Sequence, residues 1–333
     1  MEKRKKDHID LALNSQSSGI EHDERFNYEP MLKAHPGKRD LSISFLGKRL
    51  KNPLWISSMT GGTEYAKIIN TNLAKACKEF GLGMGLGSCR TLLESDEYLS
   101  HFDLRDIIGD ESPFYANLGI SQVEQAIQHN KVNQIVELVK KLRADGLVIH
   151  VNPVQEWLQP EGDLLLKAPL DTIRAFLDKT SLKVIVKEVG QGFGPQSIKA
   201  LLNLPLEAIE LGAYGGTNFS RVELKRSMPV VQEMLEPFSK VGNTAEQMID
   251  TINGIVLDNK DISCKQIIIS GGIRSFLDGY YFIQKCRLPG IYGQASTMLR
   301  YAREDYEKLH EFIQYQIKGL QMAHAYLTIR EKD

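Results

Sequence analysis

The sequence predicts an α/β fold, a TIM (β/α)8 barrel with an N-terminal arm and a C-terminal helix. Three observations carry this. From about Pro53 onward, eight short apolar runs alternate with longer stretches of helical period, the pattern of repeated βα units. Several runs are β-branched and bounded by Gly or Pro, as buried parallel strands are. The 333 residues exceed the roughly 250 of a typical barrel by about one arm and one added helix.

The strands are placed at Leu54–Ser58, Leu82–Ser88, Phe114–Leu118, Leu147–Val151, Val184–Lys187, Ala208–Leu211, Gln266–Ser270 and Gly290–Tyr292. Between the first two, Ile69, Leu73, Ala76, Cys77 and Phe80 recur at helical spacing, and Gly81 stops that helix. Val123 to Leu142 reads as one helix with Ile127, Ile135, Leu138 and Val139 on its inner stripe. Residues 1–50 form an arm with a short hairpin around Gly47, and 51–333 form the barrel. Asn218 to Gly242 reads as a long loop after the sixth strand, a lid over the site. Glu304–Arg330 carries Leu309, Phe312, Ile313, Ile317, Leu320 and Leu327 at helical spacing, a helix that caps the barrel or meets a second subunit.

Charge and composition exclude several classes. With 41 Lys and Arg against 42 Asp and Glu, the net charge of −1 supplies no field for nucleic acid. No apolar run reaches the roughly 18 residues of a bilayer span, so no membrane partner is expected. The charged N-terminus lacks the apolar core of a secretory signal, which predicts cytoplasmic residence. Cys77, Cys89, Cys264 and Cys286 form no C-x-x-C pair and read as free thiols.

In such a barrel the loops after the strands build the active site. Here these loops hold Ser58-Met59-Thr60-Gly61-Gly62, Gly87-Ser88-Cys89-Arg90, Asn117, Gly215-Gly216-Thr217, Ser270-Gly271-Gly272-Ile273-Arg274 and Gly293-Gln294-Ala295. Glycine pairs ending successive strands beside Thr217 and Arg274 point to a phosphate site. Lys187, a lysine in an apolar strand, calls for an anion or a polar ring. His150 and Asn152 differ by two and share a strand face, with Gln155 and Glu156 just beyond. Glu156 is a candidate Mg²⁺ ligand or a solvated loop carboxylate. Arg4, Lys5 and His8 make a basic cluster which, taken alone, is a solvated terminus.

Taken in order, these motifs resemble type 2 isopentenyl diphosphate isomerase over nearly the whole chain. The residues are Arg4-Lys5-x-Asp7-His8, Met59-Thr60-Gly61-Gly62, Gly87-Ser88-x-Arg90, Asn152-x-x-Gln155-Glu156-x-x-x-Pro160-Glu161-Gly162-Asp163, Lys187-Glu188-Val189-Gly190, Gly215-Gly216-Thr217-Asn218-Phe219 and Gly271-Gly272-Ile273-Arg274. The chain departs from the family at Cys89, where Gln is usual, and at Gly194, where Ser is common.

The resemblance implies FMN held by Met59, Thr60, Gly61, Ser88, Asn117, Lys187, Thr217, Gly272, Arg274, Gln294 and Ala295. It implies substrate diphosphate on Arg4, Lys5, His8, Ser88, Arg90, His150, Asn152 and Gln155, with Mg²⁺ on Glu156 and the arm folded over the site. The implied reaction is the 1,3-allylic conversion of isopentenyl diphosphate to dimethylallyl diphosphate by a homo-oligomer, a tetramer or octamer. Reduced FMN would act as acid and base, NADPH would reduce it, and Gln155 and His150 would be the catalytic side chains. Two alternatives share the barrel. An FMN-dependent 2-hydroxyacid oxidase needs a histidine base near paired arginines, whereas Arg274 has no histidine after it until His310. A non-catalytic flavin-binding sensor would have no need of a metal carboxylate beside the flavin.

Overall fold

A computed structural model describes residues 2–37, 39–58, 63–259 and 261–330. Eight parallel strands close into a barrel: β1 Leu54–Ile56, β2 Gly83–Gly85, β3 Phe114–Gly119, β4 Gly146–Val151, β5 Val184–Glu188, β6 Ala208–Glu210, β7 Ile267–Ser270 and β8 Gly290–Gln294. All eight foreseen strands are present, and Tyr292, Gly293 and Gln294 of β8 pair with Leu54, Trp55 and Ile56 of β1 to close the cylinder.

Two layers of side chains follow from the period of two in a strand. Trp55, Tyr115, Val148, Ile185, Ala208, Ile268 and Ile291 form one buried apolar cluster inside the barrel. The Trp55 indole occupies the space beside β2, where a Cβ on Gly83 would come within 2.5 Å of the ring. Two residues further along the strands come Ser57, Asn117, His150, Lys187, Glu210, Ser270 and Gly293, a second layer that is polar. The barrel is thus sealed low by hydrocarbon and lined with polar groups at its mouth.

The hairpin foreseen around Gly47 forms from Ile43–Phe45 and Lys48–Leu50. Leu46 and Gly47 both take positive φ, 51° and 73°, the geometry of a tight two-residue turn. Phe45, Leu46 and Leu50 join the apolar cluster, so the hairpin plugs the end of the barrel opposite the mouth. Gln266 holds it there, its Oε1 accepting from the Leu46 N–H at 2.8 Å.

Three expectations are corrected. Residues 123–142 are two helices, Ile120–Gln128 and Val132–Lys141, broken where Asn130 turns to φ 55°. The stretch 218–242 is helical: Phe219–Arg226, Pro229–Leu235 and the 3₁₀ turn Glu236–Lys240. Asn218 starts the first of these by accepting from the Arg221 N–H at 3.0 Å, and Pro229 stands at the start of the second. The C-terminal helix is Tyr306–Tyr326, and Leu327–Ile329 leaves it as a strand pairing antiparallel with Phe26–Tyr28. The four cysteines are free. No helix among the described residues is long and apolar enough to cross a membrane.

Candidate active site

The polar layer opens into two adjoining cavities at the mouth. One, of about 230 Å³, is lined by the loops after β6, β7 and β8, including Thr217, Gly272, Arg274, Gln294 and Ala295, together with Ser57, Ser58, Lys187 and Glu210. The other, of about 140 Å³, is lined by Ser88, Asn117, His150 and Gln155. Ser58, Lys187, Val189 and Phe219 line both, so the two form one continuous cleft. A larger cleft of about 530 Å³ lies outside the strands against helices Pro169–Leu177 and Pro195–Leu202. Among the described residues only Asn152 brings it an unpartnered buried polar atom, whereas Ser57, Ser58, Glu210 and Gln294 all bring such atoms to the mouth.

At one end of the mouth the backbone is shaped by glycine. Gly271 and Gly272 take φ of 86° and 73°, which side-chain-bearing residues rarely adopt. A Cβ on Gly216 would come within 2.9 Å of the Gly272 nitrogen, so the loops after β6 and β7 touch through bare backbone. Arg274 stands exposed beside them. Its loop is fixed by Asp278, whose Oδ2 accepts from the N–H groups of Arg274 and Ser275 at 2.9 Å each.

At the other end of the mouth, Asn117 donates from Nδ2 to the Leu86 carbonyl at 2.8 Å, which turns its Oδ1 toward His150 Nδ1 at 2.7 Å. Burial first, and the nearby Lys187 charge second, push His150 down to about 3. The imidazole is therefore neutral, with its proton on Nδ1 and a lone pair on Nε2. Lys187, 7% exposed, donates to the Glu188 carbonyl at 2.8 Å. Glu188 in turn shapes the following loop by accepting at 2.7 Å from the N–H groups of Gly190, Gln191 and Gly192. Burial nevertheless raises its carboxyl above the ordinary carboxylate range.

Gln155 sits in a chain of amides and carboxylates. Asn152 Nδ2 donates to Gln155 Oε1 at 3.1 Å and to Glu156 Oε1 at 2.9 Å, while Gln155 Nε2 donates to Glu223 Oε1 at 3.1 Å. Glu223, 4% exposed, is paired with Arg226 at 2.6 Å. Glu156, 6% exposed, is absent from the lining of both mouth cavities. Its Oε2 accepts from Gln159 Nε2 at 3.0 Å and from the Asp163 N–H at 2.9 Å.

The structure therefore brings together Ser88, Asn117, His150, Gln155, Lys187, Thr217, Gly272, Arg274, Gln294 and Ala295. Asn152 and Glu156 stand one shell behind Gln155. Arg90 lines neither mouth cavity and is paired with Asp163 at 3.0 Å. Arg4, Lys5 and His8 lie on the exposed helix Glu2–Ala12, Arg4 and His8 one turn apart. Met59, Thr60 and Gly61 lie outside the described residues. Two buried carboxylates escaped the sequence reading. Glu210 could have been found as Lys187 was, by a charge inside an apolar strand; Glu223 carries no such signal, because only the fold sets it over Gln155.

No protein-family model matches the chain. Among solved structures, it overlays a flavocytochrome b2 with sulfite bound at a TM-score of 0.60 and 15% identity, covering 95% of this chain and 78% of that one. It overlays a mandelate oxidase carrying a monooxide FMN adduct at 0.55 and 14%, covering 93% and 88%. These likenesses show the barrel fold. Among curated proteins, the isopentenyl-diphosphate delta-isomerase of Rickettsia felis is 33% identical over 325 residues, covering 96% of this chain and 91% of the relative. That of Rickettsia bellii is 34% identical over 326 residues, covering 96% and 92%. With a third of its residues shared over almost the full length of both relatives, the chain belongs to the isopentenyl-diphosphate delta-isomerase family.

Proposed function

We propose that this chain is the type 2, flavin-dependent form of the isomerase and converts isopentenyl diphosphate to dimethylallyl diphosphate with reduced FMN, Mg²⁺ and NADPH as the reductant of the flavin. One observation carries the flavin reading. Ser57 Oγ, Ser58 Oγ, both oxygens of Glu210 and Gln294 Oε1 are buried without a hydrogen-bond partner among the described residues, and all of these side chains line the same cavity. Buried polar groups are costly unless paired, so such a cluster marks a site built for a polar ligand. Glycine loops with Arg274 at one end suit a phosphate, and Lys187 at the other suits the acceptor edge of a flavin ring.

Reduced FMN, when bound, supplies the proton donor and acceptor for the allylic shift. The chain's own residues bind, orient and shield. The Gln155 amide, fixed between Asn152 and Glu223, cannot titrate, so it orients the alkene rather than storing a proton. Neutral His150 lines the same cavity as Gln155 and keeps a lone pair on Nε2. Glu156 fits Mg²⁺ chemistry as a single carboxylate that would share the ion with substrate phosphates through Oε1, which accepts from Asn152 alone and keeps a second lone pair, whereas Oε2 already accepts twice. The unpartnered Asn152 Oδ1 is a further hard oxygen beside it. Arg4, Lys5 and His8 would bring cationic charge to the diphosphate when their helix closes over the mouth. Helix Phe219–Arg226, with Ser220, Glu223 and Leu224 buried, supplies part of the roof that keeps water out.

The oxidase reading is disfavoured by the mouth itself. Its one lining histidine among the described residues, His150, is held near 3 and makes a poor base, and its one lining arginine, Arg274, stands at the glycine loops. The test is anaerobic incubation of the purified chain with isopentenyl diphosphate, FMN, Mg²⁺ and NADPH, omitting each in turn. Dimethylallyl diphosphate should form in the complete mixture and vanish without flavin; no product despite stoichiometric FMN binding would refute the proposal.

A further inference from the structure

We propose that Glu210 is the residue by which the mouth recognises the hydroxylated chain of its flavin, its carboxylate accepting hydrogen bonds from the polyol hydroxyls. This rests on the flavin reading above.

Glu210 ends β6 in the polar layer, register-paired with Lys187 of β5 and with Ile268 of β7. It is fully buried, at 0% exposure, and both oxygens lack a hydrogen-bond partner among the described residues. Lys187 makes no hydrogen bond to either oxygen, and the bond its ammonium does make goes to the Glu188 carbonyl. An ionised carboxylate is acceptor-only and has about four lone-pair sites. The ligand must therefore present donors at this point of the cleft.

The parts of FMN divide clearly by that criterion. Its phosphate is anionic and would be repelled by Glu210, whereas Arg274 and the bare glycine backbone at the far end of the same cavity attract it. Its ring edge is mainly carbonyl oxygen and ring nitrogen, acceptors that suit Lys187. The polyol linking ring to phosphate carries three hydroxyl donors and must cross the space between Lys187 and the glycine loops, where Glu210 faces the cavity. Charge-assisted hydrogen bonds of this kind are about twice as strong as neutral ones, so the carboxylate would set both affinity and selectivity for a hydroxylated chain.

The experiment titrates the flavin-free full chain with FMN and with a flavin whose N10 substituent is a 5-phosphopentyl chain without hydroxyls, following flavin fluorescence. The unaltered chain should prefer FMN by roughly tenfold or more. Glu210→Gln, of the same shape, should weaken FMN roughly tenfold while leaving the hydroxyl-free flavin almost unaffected, and Glu210→Asp should retain the preference. Equal affinity of the unaltered chain for the two flavins would overturn the proposal without any variant, as would equal losses for both ligands in Glu210→Gln. Failure of the unaltered chain to bind FMN at all would instead overturn the flavin reading itself.

Discussion

His150 Nδ1 lies 2.7 Å from Asn117 Oδ1, and the amide cannot turn over without losing its bond to the Leu86 carbonyl. This one contact fixes the tautomer of the histidine at the mouth, and burial with the Lys187 charge keeps the ring neutral. Asn117→Asp should reverse this by placing a carboxylate against the ring, raising the titration of His150 well above about 3. Histidine ring resonances followed by NMR from pH 4 to 8 check it. The unaltered His150 should stay neutral throughout, and the variant's should titrate within the range.

The same depression links to stability. His150 has an ordinary value of 6.5 and a folded value of about 3, so between those limits the unfolded chain binds a proton that the folded chain refuses. Stability therefore falls as pH drops below 6.5, by about 2 kcal/mol at pH 5 from this group alone. Urea unfolding at pH 5 and 7.5 should show this loss in the unaltered chain and much less of it in His150→Gln.

Gln155 and Glu223 should fail together. Glu223→Ala removes the acceptor that orients the Gln155 amide, and Gln155→Ala removes the amide itself. Each should lower kcat by about 10² with FMN affinity unchanged, and the double variant should lose little more than either alone, because the two act as a unit. Steady-state kinetics with flavin titrations measure both quantities.

Arg274→Ala should weaken FMN by about 2 kcal/mol, roughly thirtyfold, through loss of a charge-assisted phosphate contact. Riboflavin, which lacks the phosphate, should bind both proteins alike. Fluorescence titration with the two flavins separates the outcomes.

The helix Glu2–Ala12 presents Arg4, Lys5 and His8 to solvent. If these residues close over the diphosphate, Arg4→Ala and Lys5→Ala should raise KM about tenfold each, steeply with salt, and leave FMN affinity untouched. Unchanged KM in both variants would show that the arm takes no part in substrate binding.

The barrel was legible because strands buried on both sides read as continuous apolar runs, and a polar residue breaking such a run at its C-terminal end marks the mouth. Lys187 and His150 were visible for that reason. The break at Asn130 depends on one residue adopting a left-handed backbone, which no periodicity reports. The strand Leu327–Ile329 exists because Phe26–Tyr28, about three hundred positions away, offers it an edge. The helices over 219–240 are short, and Pro229–Leu235 carries Val230, Val231, Met234 and Leu235 at helical spacing yet buries none of them, so its formation rests on the surrounding fold rather than on a buried stripe. Glu223 was invisible for the same reason, since its importance comes from the neighbour above which it is set.

The central claim is that a flavin serves this chain without net oxidation or reduction. The most direct measurement counts NADPH oxidised per dimethylallyl diphosphate formed under anaerobic conditions with FMN and Mg²⁺. One reducing equivalent pair per enzyme-bound flavin, followed by many turnovers with no further NADPH loss, is the expected result. NADPH consumption in step with product, or product formation on oxidised flavin alone, would contradict it.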